Sequence, residues 1–290
     1  MNQRIIYALG FFDGVHLGHQ ALLTACRELA DKHGCAAGAL TFADAPLTVL
    51  KGQKANNITT LHDRTRLLHA YGMENVKIFP TNRETLSISW QDFLHSLIQE
   101  GAAGFVCGND FRFGRGGEGN ATGLQAFCKE NGLPCAVVEE QTMDGARISS
   151  TRIRALLEQG DMAQANRLLG HPYVLTGQVV AGRQLGRTIQ FPTANLTLGE
   201  NMLCPRFGVY ACKALLPDGT YKAVTNIGTR PTVSGEGITV EAHLLDFDGD
   251  LYGKALTLHF CAFLRPEQKF TSVEELQKQI AEDIKTADSL

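Results

Sequence analysis

No run of about 18 uninterrupted apolar residues occurs in this 290-residue chain, and a helix crossing a bilayer needs about 20. A helical membrane span is therefore excluded. The opening "MNQRII" carries no basic region followed by a long apolar segment, so no targeting leader is expected and the cytoplasm is the expected compartment. Charge of one sign is also lacking. A net charge of −3 argues against a surface that binds polyanions, so neither nucleic acid nor membrane is expected as a partner. The eight cysteines form no C-x-x-C pair and mostly sit in apolar runs; they read as buried free thiols, not as zinc ligands. The sequence has no G-x-x-x-x-G-K-[ST] phosphate loop, no internal repeat and no low-complexity tract. Any chemistry on phosphates must use another cradle.

The composition is that of a soluble globular protein, with 44% apolar and 20% charged residues. At about 150 residues per domain the length predicts two domains. Up to about residue 150, strand-like "RIIYAL", "CAAGALTF", "NVKIFP", "AGFVCG" and "PCAVVEE" alternate with helix-like segments such as "WQDFLHSLIQE" and "LQAFCKENG". This alternation implies a parallel sheet flanked by helices, with ligands bound beyond the carboxyl ends of its strands. Helix-like "STRIRALLEQGDMAQANRLLG" then leads to extended runs separated by turn signals: "VLTGQVVAG", "GVYACKALL", "YKAVTNIG", "ITVEAHLLDF" and "KALTLHFCAFL". At least five antiparallel strands suffice for a small barrel, and "SVEELQKQIAEDIKTA" closes the chain as a helix. The domain boundary is expected near Leu169 to Tyr173, giving domains 1–170 and 171–290.

Within "GFFDGVHLGHQ", His16 and His19 fall where the first strand turns into a helix, a place where backbone N–H groups and the helix dipole favour an anion. Gly18 would let a phosphate approach the backbone, and the imidazoles could donate hydrogen bonds to oxygens that gain charge during phosphoryl or nucleotidyl transfer. A glycine-rich turn with capping or packing histidines fits the same residues, and two histidines without a third ligand are weak evidence for zinc. "ARISSTRIR" puts Ser149, Ser150 and Thr151 at a helix start, with Arg152 and Arg154 in the first turn. These groups suit triphosphate oxygens or, alternatively, an N-cap with solvated arginines. "AGRQLGRTIQFPTAN" supplies Gly182 and Gly186 for a loop, then Thr193 and Asn195, whose hard oxygens suit Mg2+. Bare "PTAN" is also an ordinary turn. Glu241 is a carboxylate in an apolar strand: inward-facing and partly desolvated it could accept a hydroxyl proton, and solvent-facing it would be unremarkable.

Taken in order, "GFFDGVHLGH", "GNDFRFG" and "ISSTRIR" resemble the adenylyltransferase half of the bacterial bifunctional riboflavin kinase/FAD synthetases. "GRTIQFPTANL", "GVYA", "NIGTRPT", "EAHLLDF", "DLYG" and "LRPEQKF" are similar to their riboflavin kinase module, so the likeness covers nearly the whole chain. The resemblance implies an α/β nucleotidyltransferase-like, Rossmann-like N-terminal domain and an antiparallel β-barrel C-terminal domain. It implies two ATP-dependent steps, riboflavin to FMN in the second domain and FMN to FAD with pyrophosphate release in the first. The small-molecule substrates are then riboflavin, FMN and ATP, and Mg2+ is the metal. For the first domain, the likeness assigns ATP contacts to Gly10, Phe12, Asp13, Gly14, His16, Gly18, His19, Asn109, Asp110, Ser150, Thr151 and Arg154, with His16 and His19 at the reacting phosphates. For the second it assigns nucleotide contacts to Gly182, Arg183, Thr193 and Asn195, the metal to Thr193 and Asn195, and flavin contacts to Asn226, Arg230, Glu241 and Arg265, with Glu241 as general base. Two departures stand out. "TFADAP" has Asp44 and Ala45 where the family usually has proline and histidine, which points to a weakened adenylyltransferase half, and Gln190 replaces a usual glycine before "FPTAN". The alternatives are a kinase with an inactive first domain and a flavin-binding regulator without catalysis.

Overall fold

The computed structural model describes residues 3–52, 55–181, 191–197, 199, 201–232 and 235–290. They form two compact units, one of Met1–Ala55 and Leu61–Ser150, the other of Asn56–Thr60 and Thr151–Leu290. Gly182, Arg183, Gly186 and Gln190 lie outside the described residues.

The first unit is built on five parallel strands: β1 (Ile5–Leu9), β2 (Ala36–Phe42), β3 (Asn75–Phe79), β4 (Ala102–Gly108) and β5 (Cys135–Val138), in the order β3-β2-β1-β4-β5. Its strands are nearly continuous apolar runs because both faces are covered. One face packs Leu9, Leu40 and Phe105 against Phe93 and Leu97 of α4 (Trp90–Gln99) and Phe127 of α5 (Ala121–Glu130). The other packs Ile6, Ala39 and Val106 against Leu23 and Cys26 of α1 (Leu17–His33) and Leu68 of α3 (Leu61–Ala70). Helix α1 ends at Gly34, whose φ of 60° places it in the left-handed region that glycine enters without strain. The chain leaves β1 to one side for β2 and later to the other for β4. Strand order therefore reverses beside β1, the place where open sheets of this kind take ligands.

The second unit is a closed barrel of six antiparallel strands: β6 (Tyr173–Val180), β7 (Ala194–Thr197), β8 (Gly208–Leu216), β9 (Gly219–Thr232), β10 (Gly235–Leu244) and β11 (Ala255–Arg265), in the order β6-β7-β10-β9-β8-β11. The strand β7 is a correction to the turn reading of "PTAN", since Ala194 and Asn195 begin a strand and pair with Ala242 and Glu241 of β10. Its proline cannot donate to a ladder, which is why no strand is visible there from pattern alone. Tyr210, Cys212, Ala214, Val240, Ala242 and Phe260 are buried in the barrel. On another face, Val209, Ala211 and Val224 pack against Ile284 and Ala287 of the closing helix α8 (Val273–Asp288). The helical stretch after residue 149 is two helices, α6 (Ser150–Gln159) and α7 (Met162–Leu169), because Gly160 turns with φ 81° and the Asp161 carboxylate accepts from the Gln164 amide at 3.1 Å to start the second.

Candidate active sites

In the first unit, β1 reaches α1 through a strained turn. Phe12, Gly14 and Val15 all have positive φ, of 58°, 81° and 40°, which a β-branched valine adopts only when its surroundings force it. Those surroundings are visible: the Thr41 hydroxyl donates to the Phe11 carbonyl at 2.8 Å, the Ser150 hydroxyl to the Asp13 carbonyl at 2.9 Å, and the Val15 amide to the Phe12 carbonyl at 3.1 Å. The turn delivers His16 as the N-cap of α1, its Nδ1 accepting the His19 amide at 3.3 Å. The two imidazoles stack at 3.7 Å with 14° between planes. A Cβ on Gly18 would meet the His16 ring at 3.1 Å, so glycine keeps room for the stack.

Burial, with help from His16 and Arg64, holds the His19 pKa well below the ordinary histidine value. The ring is therefore neutral at pH 7, and its buried Nδ1 has no hydrogen-bond partner among the described residues. Between its depressed folded pKa and about 6.5 the unfolded chain binds the extra proton, so stability rises with pH in that window and is lost as pH falls through it. The expected slope from this one group is at most about 1.4 kcal/mol per pH unit. Denaturant midpoints of the wild type and His19→Asn between pH 7 and pH 5 should diverge, the wild type losing more.

These residues border a cavity of about 220 Å³ at the carboxyl ends of β1, β4 and β5, lined among others by Gly10, Phe11, Asn109, Asp110, Arg147 and Ser150. "GFFDGVHLGH" and "GNDFRFG" thus meet at one place, as the alternation predicts. Asn109 donates to Glu139 at 2.8 Å, and Arg147 pairs with Asp110 and, at 3.0 Å, with Glu140. Phe12, Asp13 and Gly14 form the turn beneath and are not among the lining residues. Thr151 and Arg154 follow on α6 in the second unit, where Arg154 Nε donates to the Asn56 carbonyl at 2.7 Å. Asp44 and Ala45 do not line the cavity either; Ala45 precedes α2 (Pro46–Lys51) without a side-chain cap.

Two arginines escape sequence reasoning. Arg147 stands inside the quoted "ARISSTRIR" but before its helix. Arg64, in polar "LHDRTRLLHA", is 1% exposed, donates to the Phe42 carbonyl at 2.7 Å and lies 4.4 Å from the Phe11 ring centroid. Its Nε and Nη1 have no hydrogen-bond partner among the described residues, and burial lowers its pKa to about 10 against the pull of Asp13 and Asp44. A helix with few apolar positions gives no sign that one of its cations points inward.

In the second unit, register builds the site. Asn195 of β7 pairs with Glu241 of β10, which pairs with Asn226 of β9, so three polar side chains stand in one row across three strands. Glu241 faces neither the barrel interior nor open solvent. It is half-buried in a cavity of about 360 Å³ shared with Thr193, Asn226, His243, Arg265 and the aromatic rings of Phe191 and Phe270. A second cavity, of about 370 Å³, is lined by Pro192, Thr193, Ala194, Phe247 and residues 248–252. Thr193 lines both. Among the described residues the buried Asn195 Oδ1 has no hydrogen-bond partner, an acceptor of the kind that calls for a ligand. Asn226 donates to Glu267 at 3.3 Å, and the Glu267 carboxylate lies close against Gly228, where a Cβ would collide with it. Arg230 pairs through its backbone with Gly237, and its side chain lies outside the described part.

Arg265 is held tightly. Its Nε and Nη2 donate to both oxygens of Asp283, at 2.9 and 2.8 Å, and the pair is largely buried. Asp283 is the further residue the sequence reading misses, although a signal exists: it sits at helical spacing in the inward stripe Leu276, Ile280, Asp283, Ala287. Removing one partner of a buried bidentate pair leaves the other charge uncompensated. Asp283→Ala should therefore lower unfolding stability by about 3 kcal/mol, read as a shifted denaturant midpoint.

Residues 1–152 match the FAD synthetase family and residues 169–290 the riboflavin kinase family. The bifunctional riboflavin kinase/FMN adenylyltransferase of Escherichia coli K12 is 38% identical over 97% of this chain and 91% of its own length. Those of Bacillus subtilis and Listeria monocytogenes are 36% and 34% identical, each over 96% of this chain and 90% of their own. A crystal structure from Streptococcus pneumoniae, described as a macrolide-efflux protein, superposes with a TM-score of 0.89 at 29% identity, covering 100% of this chain and 95% of that one. Among the described residues of this chain, no helix is long and apolar enough to cross a membrane.

Proposed function

The chain belongs to the family of bifunctional riboflavin kinase/FMN adenylyltransferases, and we propose that its two reactions run in the two sites described above, one in each unit. The enzyme is both a kinase and a nucleotidyltransferase: ATP phosphorylates riboflavin to FMN, and a second ATP adenylylates FMN to FAD. This reading is favoured over a lone kinase and over a non-catalytic flavin binder. We assign the adenylyltransferase module to residues 1–170 and the kinase module to residues 171–290, and the cytoplasm as its compartment.

In the kinase step a ribityl hydroxyl oxygen attacks the γ-phosphorus, ADP leaves, and the hydroxyl proton passes to Glu241. The observation that carries this assignment is Thr193, which lines both cavities: a flavin lying among Phe191 and Phe270 and a nucleotide beside residues 247–252 would meet at the "PTAN" segment, one strand from Glu241. The Thr193 hydroxyl and the orphaned Asn195 Oδ1 are hard oxygens suited to Mg2+. When bound, that ion neutralises charge on the transferred phosphoryl group. Asn226 and Arg265 border the flavin, Arg265 in the orientation that Asp283 gives it.

In the adenylyl step an oxygen of the FMN phosphate attacks the α-phosphorus and pyrophosphate leaves. Positioning and charge neutralisation suffice. His16 and His19 donate to the triphosphate, with Asn109, Asp110 and Ser150 around the nucleotide, and Arg147 joins them from the cavity wall. Incubation with riboflavin, ATP and Mg2+ followed by chromatography of the flavins tests the whole: FMN should appear first and FAD after it. Accumulation of FMN alone would leave only the kinase, and bound but unchanged riboflavin would leave a regulator.

A further inference from the structure

The pairing of β7 with β10 stops at Ala194 opposite Ala242. One step further out the chain is Thr193 and then Pro192, and proline has no N–H to extend a ladder. Among the described residues, Thr193, the residue common to both cavities, is therefore tied by backbone pairing on one flank only. The other flank is tied by a side chain. His243, two residues along β10 from Glu241 and on the same face, places its Nδ1 2.8 Å from the Pro192 carbonyl, and its ring meets Phe191 edge-on at 5.6 Å. A carbonyl can only accept, so Nδ1 carries the hydrogen and donates.

We propose that His243 is a positioning residue for phosphoryl transfer: its Nδ1–H ties down the Pro192 carbonyl at the point where proline, lacking an N–H, gives the ladder no donor, and so fixes the Thr193 hydroxyl where nucleotide and metal must meet. The inference rests on the assignment of Thr193 and Asn195 to Mg2+. It needs no charge on the imidazole. A free Pro192 carbonyl would let the segment swing about Ala194, and a ligand held loosely binds its metal less well; loss of such an outer partner typically weakens metal affinity about ten- to a hundredfold.

The geometry distinguishes variants that differ in where they hold a donor. Asparagine can place its amide near the position of Nδ1, whereas glutamine carries its amide farther out, near that of Nε2. The full chain is compared as wild type, His243→Ala, His243→Asn, His243→Gln and Thr193→Val. In FMN formation, His243→Ala and His243→Gln should raise the half-saturating Mg2+ concentration about tenfold, with a smaller change in kcat, while His243→Asn stays near wild type. Calorimetric titration of ADP gives a readout without turnover. In a His16→Ala, His19→Ala background, which removes the candidate phosphate contacts of the first unit, His243→Gln should weaken ADP binding with Mg2+ present and leave it unchanged in EDTA. A loss of equal size in both conditions, or His243→Asn behaving like His243→Gln, overturns the inference even if His243→Ala fails to fold. Thr193→Val separates the two levels of the argument. If it raises the Mg2+ requirement and the His243 variants do not, the positioning role is wrong; if it too leaves the requirement unchanged, the ligand assignment itself fails.

Discussion

Glu241→Gln is expected to lower the rate of FMN formation by about a hundred- to ten-thousandfold, the range a positioned general base supplies, while FAD formation from supplied FMN continues at the wild-type rate. Glutamine keeps the size of the side chain and its place in the row between Asn195 and Asn226, so the loss is chemical. The substrate KM should move little, because the amide can still take a hydrogen bond from the ribityl hydroxyl but cannot accept its proton. Separate assays with riboflavin and with FMN check both halves. Loss of both activities in a folded protein would contradict the assignment of one site per unit.

His16→Ala combined with His19→Ala should do the reverse, lowering FAD formation by about a hundred- to a thousandfold and leaving FMN formation intact. That magnitude is the cost of removing preorganised donors from an anionic transition state. The effect should fall on the KM for ATP as well as on kcat, since these rings meet the triphosphate in the ground state and the charge grows further as the α-phosphorus is attacked. The paired single variants are informative. Because the rings stack at 3.7 Å and the His19 amide caps onto His16 Nδ1, removing His16 also frees His19 to turn, and the two losses should combine to less than their product.

The strands of the first unit and the starts of α1 and α6 are legible in sequence because each depends on local signals: apolar runs, a glycine-rich turn, hydroxyls at a helix start. The opposed histidines are legible for the same reason, being three residues apart on one turn of helix. The row Asn195, Glu241, Asn226 is not, since it is made by register between strands up to 46 residues apart in numbering, and register is invisible until the strands pair. Glu241 therefore reads equally well as an inward or an outward carboxylate, while the structure shows a third environment, a half-buried cavity wall. Arg64 and Asp283 are hidden differently. Each is a charged residue in a helix whose pattern marks charge as exposed, and each is turned inward by groups that come from other elements: the carbonyl of Phe42 for one, the guanidinium of Arg265 for the other.

The closed barrel also governs when this chain can finish folding during synthesis. Every strand of the five-stranded sheet has left the ribosome by Val138, and its pairings can form while the barrel is still unmade. The barrel must wait: its closing seam joins Tyr173 to Phe260 and the rest of β6 to β11, so no partial length of the second half can satisfy its own edges. Contacts of such long sequence separation close slowly, and until they do, β6 exposes an unpaired strand to whatever else is nascent nearby. The Asn56–Thr60 segment shares that delay, since Asn57 bonds to Asn201 and Leu203, residues made almost 150 positions after it. The emerging protein thus passes through a stage in which its first half is folded around a loop still awaiting its partner.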